Sequence, residues 1–245
     1  MNHTITISAD GSSTLKLNEF NESYHSVNGA YIEAMHIYIN NGLNYLANSN
    51  EIYIYDIGFG TGLNCLLSLL WQQNDNNNTV IYYHGIEKYP ILMDEIRKLN
   101  FPKYITDQLH ADCNTTGIQI EQLFIEMHKV PWNEDIKLAP NFILRKSNAD
   151  ITEFNPQPYN APCIFNNTNS YKTVIFYDTF SPGTQPTLWN CSIFHRFYKN
   201  IPVGSILVTY CAKGIVKQAL RDAGFIVKRL TGANGKHHMV RAEKI

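Results

Sequence analysis

The stretch from Glu51 to Gln73 constrains this chain more than any other. Glu51-Ile52-Tyr53-Ile54-Tyr55-Asp56-Ile57 is an apolar, β-branched and aromatic run of strand length. It leads into Gly58-Phe59-Gly60-Thr61-Gly62, and Leu63 to Gln73 follows with helical spacing. A buried strand, a glycine turn and a helix in that order start an α/β domain with a parallel sheet.

The rest of the chain continues the alternation. Thr79 to Ile86 reads as a second strand ending at Glu87, and Thr173 to Asp178 as another ending in an acid. Ser205 to Tyr210, Phe225 to Leu230 and His238 to Ala242 read as later strands. Helices are predicted over 63–73, 90–99, 118–128, 186–199 and 214–223, the last closed by Gly224. No helix separates the final two strands, so they should pair antiparallel through the turn Gly232 to Gly235. Upstream, residues 4–7 and 14–17 form a predicted hairpin around Asp10-Gly11. Ile32, Met35, Ile39, Leu43 and Leu46 give Tyr31 to Leu46 an amphipathic helical pattern. Pro131 to Pro140 reads as irregular, and Asn155 to Ser170 as a Pro- and Asn-rich loop.

Composition narrows the setting. The 245 residues suit one large α/β domain with an extension. No apolar run reaches membrane-spanning length, and the N-terminus lacks a secretory pattern. Cysteines at 65, 113, 163, 191 and 211 are odd in number and contain no Cys-x-x-Cys, which excludes a zinc ribbon and fits reduced thiols in the cytoplasm. The net charge is −1, but residues 195–245 hold ten bases and two acids, a local +8 that leaves −9 elsewhere. A basic C-terminal face on an acidic body suits a polyanionic partner, or is simply a solvated surface.

The glycine turn has the spacing G-x-G-x-G, not the dinucleotide G-x-G-x-x-G. Asp56, just before it, would repel a phosphate and suit a cation. S-adenosylmethionine, with its sulfonium and ammonium, fits better than a pyrophosphate. Glu87, 25 residues beyond Gly62, stands where a carboxylate accepts ribose hydroxyls; it supports a nucleoside without naming it, and also reads as a cap before Pro90. Asp150 is a candidate acceptor for an adenine amine. Asp178, at the carboxyl end of its strand, either holds a reacting group against the cofactor or caps the helix that Pro186 starts.

Several motifs in order now carry a resemblance. Gly58-Phe59-Gly60-Thr61-Gly62-Leu63-Asn64, Tyr177-Asp178-Thr179-Phe180-Ser181-Pro182 with Pro186-Thr187-Leu188-Trp189, Leu207 to Gly214, and Ala219 to Phe225 strongly resemble the MnmD / MnmC N-terminal-domain family. Gly29 to Glu33 and Gly235-Lys236 with Met239 also match. The resemblance runs from about residue 20 to 242. Thr179 stands in place of a usual alanine, Cys211 of a small residue, Asn148 of a frequent glycine, and His237-His238 of a Lys/Arg-Glu pair.

The resemblance implies a Rossmann-like class I methyltransferase fold, with a mostly parallel seven-stranded sheet and an antiparallel last strand. Residues 1–50 would be an extension and 51–245 the domain. It implies S-adenosylmethionine-dependent methylation of 5-aminomethyl-(2-thio)uridine at tRNA position 34, by a chain without the FAD-dependent oxidase domain of bifunctional members. Asp178 and Phe180 would be catalytic. Asp56, Gly58, Gly60, Gly62 and Asn64 would hold the methionine portion, Glu33 its ammonium, Glu87 the ribose and Asp150 the adenine. Tyr24 and Tyr210 would receive the base, and Lys213 and Lys236 the phosphates of an anticodon stem-loop. No metal is implied. Competing readings are a methyltransferase of the same fold acting on a small molecule or protein, a nicotinamide oxidoreductase, and a non-catalytic nucleotide- or tRNA-binding module.

Overall fold

The computed structural model describes residues 3–19, 22–74, 78–108, 116–157, 171–233 and 235–245. Cys113, Cys163 and the predicted loop beyond residue 157 lie outside them. The chain begins with a small antiparallel sheet of β1 (His3–Ile7), β2 (Ser13–Leu17) and β3 (Glu22–Ser23). The expected hairpin is its first pair, with Thr6 opposite Thr14. Helix α1 (Ala30–Ala34) runs into a π-helical stretch, Met35–Asn40, and then a 3₁₀ turn, Leu43–Leu46. The single helix expected over 31–46 is therefore broken. Gly42 marks the break, where a Cβ would lie 2.2 Å from the Tyr38 carbonyl oxygen.

The main sheet holds β4 (Glu51–Ile57), β5 (Val80–Glu87), β6 (Asp135–Ala139), β7 (Phe142–Asn148), β8 (Lys172–Tyr177), β9 (Ile206–Thr209), β10 (Ile226–Thr231) and β11 (His238–Glu243). Their spatial order is β10-β11-β9-β8-β4-β5-β7-β6. The strands from β9 to β7 are parallel, and β11 is antiparallel to both of its neighbours. Seven strands with a reversed β11 agree with expectation. The eighth, β6, pairs antiparallel on the outside of β7, within the segment read as irregular.

Helices α2 (Leu63–Asn74), α3 (Met93–Ile96), α4 (Phe101–Gln108) and α5 (Gly117–Lys129) precede β6, and α6 (Cys191–Asn200) and α7 (Gly214–Asp222) follow β8 and β9. The helix expected over 90–99 is only the single turn α3, and Pro186–Trp189 is a separate 3₁₀ turn before α6. A capping box, Thr116 with Gln119, starts α5.

Side chains of β4 divide between two cores, as a strand buried on both faces requires. Ile52 and Ile54 join Leu66, Leu70 and Phe124; Tyr53, Tyr55 and Ile57 join Phe194, Phe197 and Leu220. Leu15, Ala34 and Ile37 of the N-terminal segment belong to the first of these cores. Among the described residues no helix is long and apolar enough to cross a membrane.

Candidate active site

The carboxyl ends of β4, β5 and β8 open on a cavity of about 540 Å³. Parallel strands direct their loops to this end, and the switch in strand order at β4 splits them apart, which is where open α/β sheets bind ligands. The size suits a small organic ligand. Contacts divide its lining into two sides.

The first side is built on the glycine turn. Gly58 and Gly60 line the cavity with positive φ, 92° and 49°. Glu87, ending β5, accepts the Gly60 N–H at 3.0 Å and the Tyr89 N–H at 2.8 Å. Burial pushes its carboxyl above the usual range, while those backbone donors pull it back. Each oxygen keeps acceptor capacity for a hydroxyl. Asp150 also lines the cavity; its Oδ2 pairs with Lys88 at 2.7 Å and its Oδ1 accepts from Thr152. Burial acts to raise Asp150, but Lys88 and Thr152 together hold it low.

The second side is built on the end of β8. The Asp178 N–H still pairs with the Ile57 carbonyl, so its side chain projects from the last rung of the sheet. Its Oδ2 accepts from the Asn64 amide at 3.0 Å. Burial raises the Asp178 carboxyl to about 6, against the pull of the Tyr38 hydroxyl and the Asn64 amide. The Phe180 ring meets Tyr24 edge-on at 5.2 Å, and the Phe180 carbonyl accepts from the Trp189 indole. The Tyr210 hydroxyl donates to the Thr179 carbonyl at 2.8 Å, leaving its ring as its contribution to the cavity. Glu33 and Lys236 form an ion pair at 2.5 Å, and the Lys236 ammonium stands 5.1 Å from the Tyr210 ring centroid.

Of the expected site residues, this cavity gathers Tyr24, Glu33, Gly58, Gly60, Glu87, Asp150, Asp178, Phe180, Tyr210 and Lys236. Four others take different places. Asp56 is fully buried beneath the turn, accepts the Tyr83 hydroxyl at 2.6 Å and does not line the cavity; desolvation pushes its carboxyl well above the usual range. Asn64 is buried as well and holds Asp178, which makes it a positioning residue rather than a cofactor contact. Gly62 faces α5: a Cβ there would lie 2.4 Å from Met127. Lys213 is exposed at the start of α7 and outside the cavity lining.

Other functional neighbours carry no motif. The Thr61 hydroxyl is hydrogen-bonded to His25 at 2.6 Å, and the Thr61 carbonyl accepts from His128 at 3.1 Å. Burial lowers His25 to about 4 and His128 to about 3, so both clamp the glycine turn as neutral rings. Lys146 then donates to the His128 carbonyl at 2.8 Å. These partners lie 36 and 67 residues from Thr61, a separation no local pattern reveals.

The sheet, its strand order and the cavity at its switch point are those of the class I methyltransferase fold. Comparison with known proteins agrees. Residues 160–245 match a family described as S-adenosyl-L-methionine-dependent methyltransferase. The chain is similar to the tRNA 5-methylaminomethyl-2-thiouridine biosynthesis bifunctional protein MnmC of Legionella pneumophila (strain Lens), with 27% identity over 240 residues, covering 91% of this chain and 34% of the relative. The MnmC protein of Burkholderia multivorans is 24% identical over 98% of this chain and 34% of its own length. The chain thus spans about a third of these curated relatives. Its fold is that of MNMC2 from Aquifex aeolicus, with a TM-score of 0.70, 22% identity, and coverage of 99% of this chain and 70% of that one.

The residues present fit the cofactor. Gly60 lines the cavity, and the Tyr24 ring is its nearest neighbour, 3.1 Å from where a Cβ would stand. Glu87 offers a carboxylate to vicinal hydroxyls, and Glu33 offers one to an ammonium. Glu87→Ala should weaken S-adenosylmethionine binding by about 2 kcal/mol, roughly thirtyfold, by calorimetry, because charge-assisted hydrogen bonds are lost. Unchanged affinity would remove Glu87 from the cofactor site.

Proposed function

We propose that this chain methylates the exocyclic amine of 5-aminomethyl-(2-thio)uridine at wobble position 34 of tRNA, giving 5-methylaminomethyl-(2-thio)uridine in the cytoplasm. The observation that carries this reading is the Asp178 side chain in a cavity lined also by Tyr24, Phe180 and Tyr210 and by Gly58 and Gly60 of the glycine turn. The MnmC relatives are named for tRNA 5-methylaminomethyl-2-thiouridine biosynthesis, which supports the same substrate.

Gly58, Gly60 and Glu87 would hold S-adenosylmethionine, which would supply an electrophilic methyl group. The chain's own residues position the amine. Asp178 accepts an N–H of the neutral amine and directs its lone pair. As nitrogen gains its fourth bond it becomes positive, and the carboxylate stabilises that charge. The same carboxylate favours the protonated, unreactive amine. The apolar rings of Phe180 and Tyr24 counter this by disfavouring an ammonium that is not fully paired. Asp178, already raised to about 6, accepts the proton that nitrogen releases.

An anticodon base must leave its stack to enter, and the Tyr24, Phe180 and Tyr210 rings offer it a replacement. Outside the cavity, Lys199, Lys213, Arg221 and Arg229 of the basic C-terminal segment are exposed, and this segment would meet the stem-loop phosphates. Lys236 belongs to the cavity mouth instead, paired with Glu33.

Two tRNA pools, one carrying 5-aminomethyluridine and one lacking it, are incubated with labelled S-adenosylmethionine and digested to nucleosides. Label in 5-methylaminomethyluridine from the first pool alone is expected. No label in either pool, with cofactor binding intact, would move the acceptor outside tRNA.

A further inference from the structure

Lys236 is a cation in a cavity dominated by carboxyl groups. Five acids line it: Glu22, Glu33, Glu87, Asp150 and Asp178. Among the described lining residues the lysines are Lys88 and Lys236. Lys88 pairs with Asp150, beside Glu87. Lys236 belongs to the Asp178 side: burial dominates the rise of the Asp178 carboxyl, Glu33 adds to it and Lys236 opposes it. The Lys236 side chain is 35% exposed and lines the cavity, so a ligand can reach it.

The fold sets Lys236 in place. It follows Gly235, whose φ of 77° turns the connection between β10 and β11, and its N–H donates to the Ala233 carbonyl at 2.9 Å. Its ammonium pairs with Glu33 and stands over the Tyr210 ring. An ammonium has three donors, and Glu33 takes one. The pair therefore presents a cation and an anion side by side.

The cofactor carries the complementary pattern. Its methionine portion ends in an α-ammonium and an α-carboxylate on one carbon. That carboxylate is its only anionic group, and it must enter a cavity lined by five carboxyl groups. The glycine turn does not receive it. The N–H groups of Gly58 and Phe59 donate to the Ile86 carbonyl, that of Gly60 to Glu87 and that of Gly62 to the Phe59 carbonyl. With these amides engaged inside the protein, the anion needs a cation.

We infer that Lys236 binds the α-carboxylate of S-adenosylmethionine while Glu33 takes its α-ammonium. Lys236 thus serves the cofactor rather than the RNA phosphates, and it selects S-adenosylmethionine over its decarboxylated form.

Calorimetry without RNA tests this with three ligands. They are S-adenosylmethionine, its decarboxylated form, which keeps the sulfonium and the amine, and 5′-methylthioadenosine, which lacks the amino-acid end. Wild-type protein should bind the first about tenfold to a hundredfold more tightly than the second, since a charge-assisted hydrogen bond separates them. Lys236→Met should narrow that ratio to within about threefold, by weakening S-adenosylmethionine and not its decarboxylated form. Methylthioadenosine should bind both proteins alike. Equal wild-type affinities for the first two ligands would overturn the assignment, independently of how the variant folds. Unchanged S-adenosylmethionine affinity in Lys236→Met would also overturn it and return Lys236 to the RNA. Tighter binding of S-adenosylmethionine by the variant would instead make Lys236 a competitor for Glu33, and an equal loss on all three ligands would make it a brace for the fold; either result overturns the assignment. Binding of none of the three by wild-type protein would overturn the cofactor site itself and this inference with it.

Discussion

Asp178→Asn should lower kcat roughly 10²–10³-fold while leaving S-adenosylmethionine affinity nearly unchanged. Asn keeps the shape and loses the charge that stabilises a developing ammonium. It also loses the acceptor for the released proton. Calorimetry and single-turnover methyl transfer read the two quantities separately. An equal loss in both would assign Asp178 to cofactor binding instead. In wild-type protein the active form is the carboxylate, so turnover should fall as pH drops through about 6. Stability moves in the opposite sense. Burial raises Asp178 from 3.8 to about 6, so between those values the folded state holds a proton that the unfolded state has released. This group therefore costs stability as pH rises across that window, and the charged form is the strained one at neutrality. Asp178→Asn should raise the melting temperature at pH 7 while removing activity, a combination that a merely structural residue does not give.

Gly58→Ala should be the most damaging single change in the glycine turn. The backbone at Gly58 has a φ of 92°, and a Cβ there would lie 2.5 Å from the Asp178 carbonyl oxygen. That atom is backbone just past the end of β8, where Asp178 is still tied to Ile57, so either the turn or this end of β8 must move. We expect a loss of about 2–4 kcal/mol in stability, read by denaturant titration, and loss of measurable cofactor binding. Gly60→Ala is the control. Its φ of 49° is tolerable for an L-residue, and its nearest neighbour is the movable Tyr24 ring at 3.1 Å. It should cost only about 1 kcal/mol. Equal effects at both positions would show that Gly58 is not the point where the turn and β8 are locked together.

Most of the sheet was legible because buried parallel strands must be continuously apolar. β4, β5 and β8 have that character, and each ends on or beside a residue of the cavity. β6 was not legible. Asp135-Ile136-Lys137-Leu138 alternates over too few residues, between prolines, and needs β7 to become a strand. The helix over 31–46 was over-read because periodicity reports which face is apolar, not whether the backbone keeps an α-helical repeat. In the site, residues at strand ends were found from their position in the chain. Asp56 was misplaced because sequence shows an acid before a turn but not the Tyr83 hydroxyl waiting beneath it. His25 and His128 went unseen because their shared partner, Thr61, is distant from both in the chain.

The placement of β11 between β9 and β10 has a consequence for biosynthesis. A strand formed late in translation is inserted between two made earlier. Until residue 243 clears the ribosome, β9 and β10 cannot be joined, and each offers unpaired backbone that another chain can pair with. The sheet therefore closes only once β11 has emerged. Nascent chains should depend on holding chaperones until the last strand arrives.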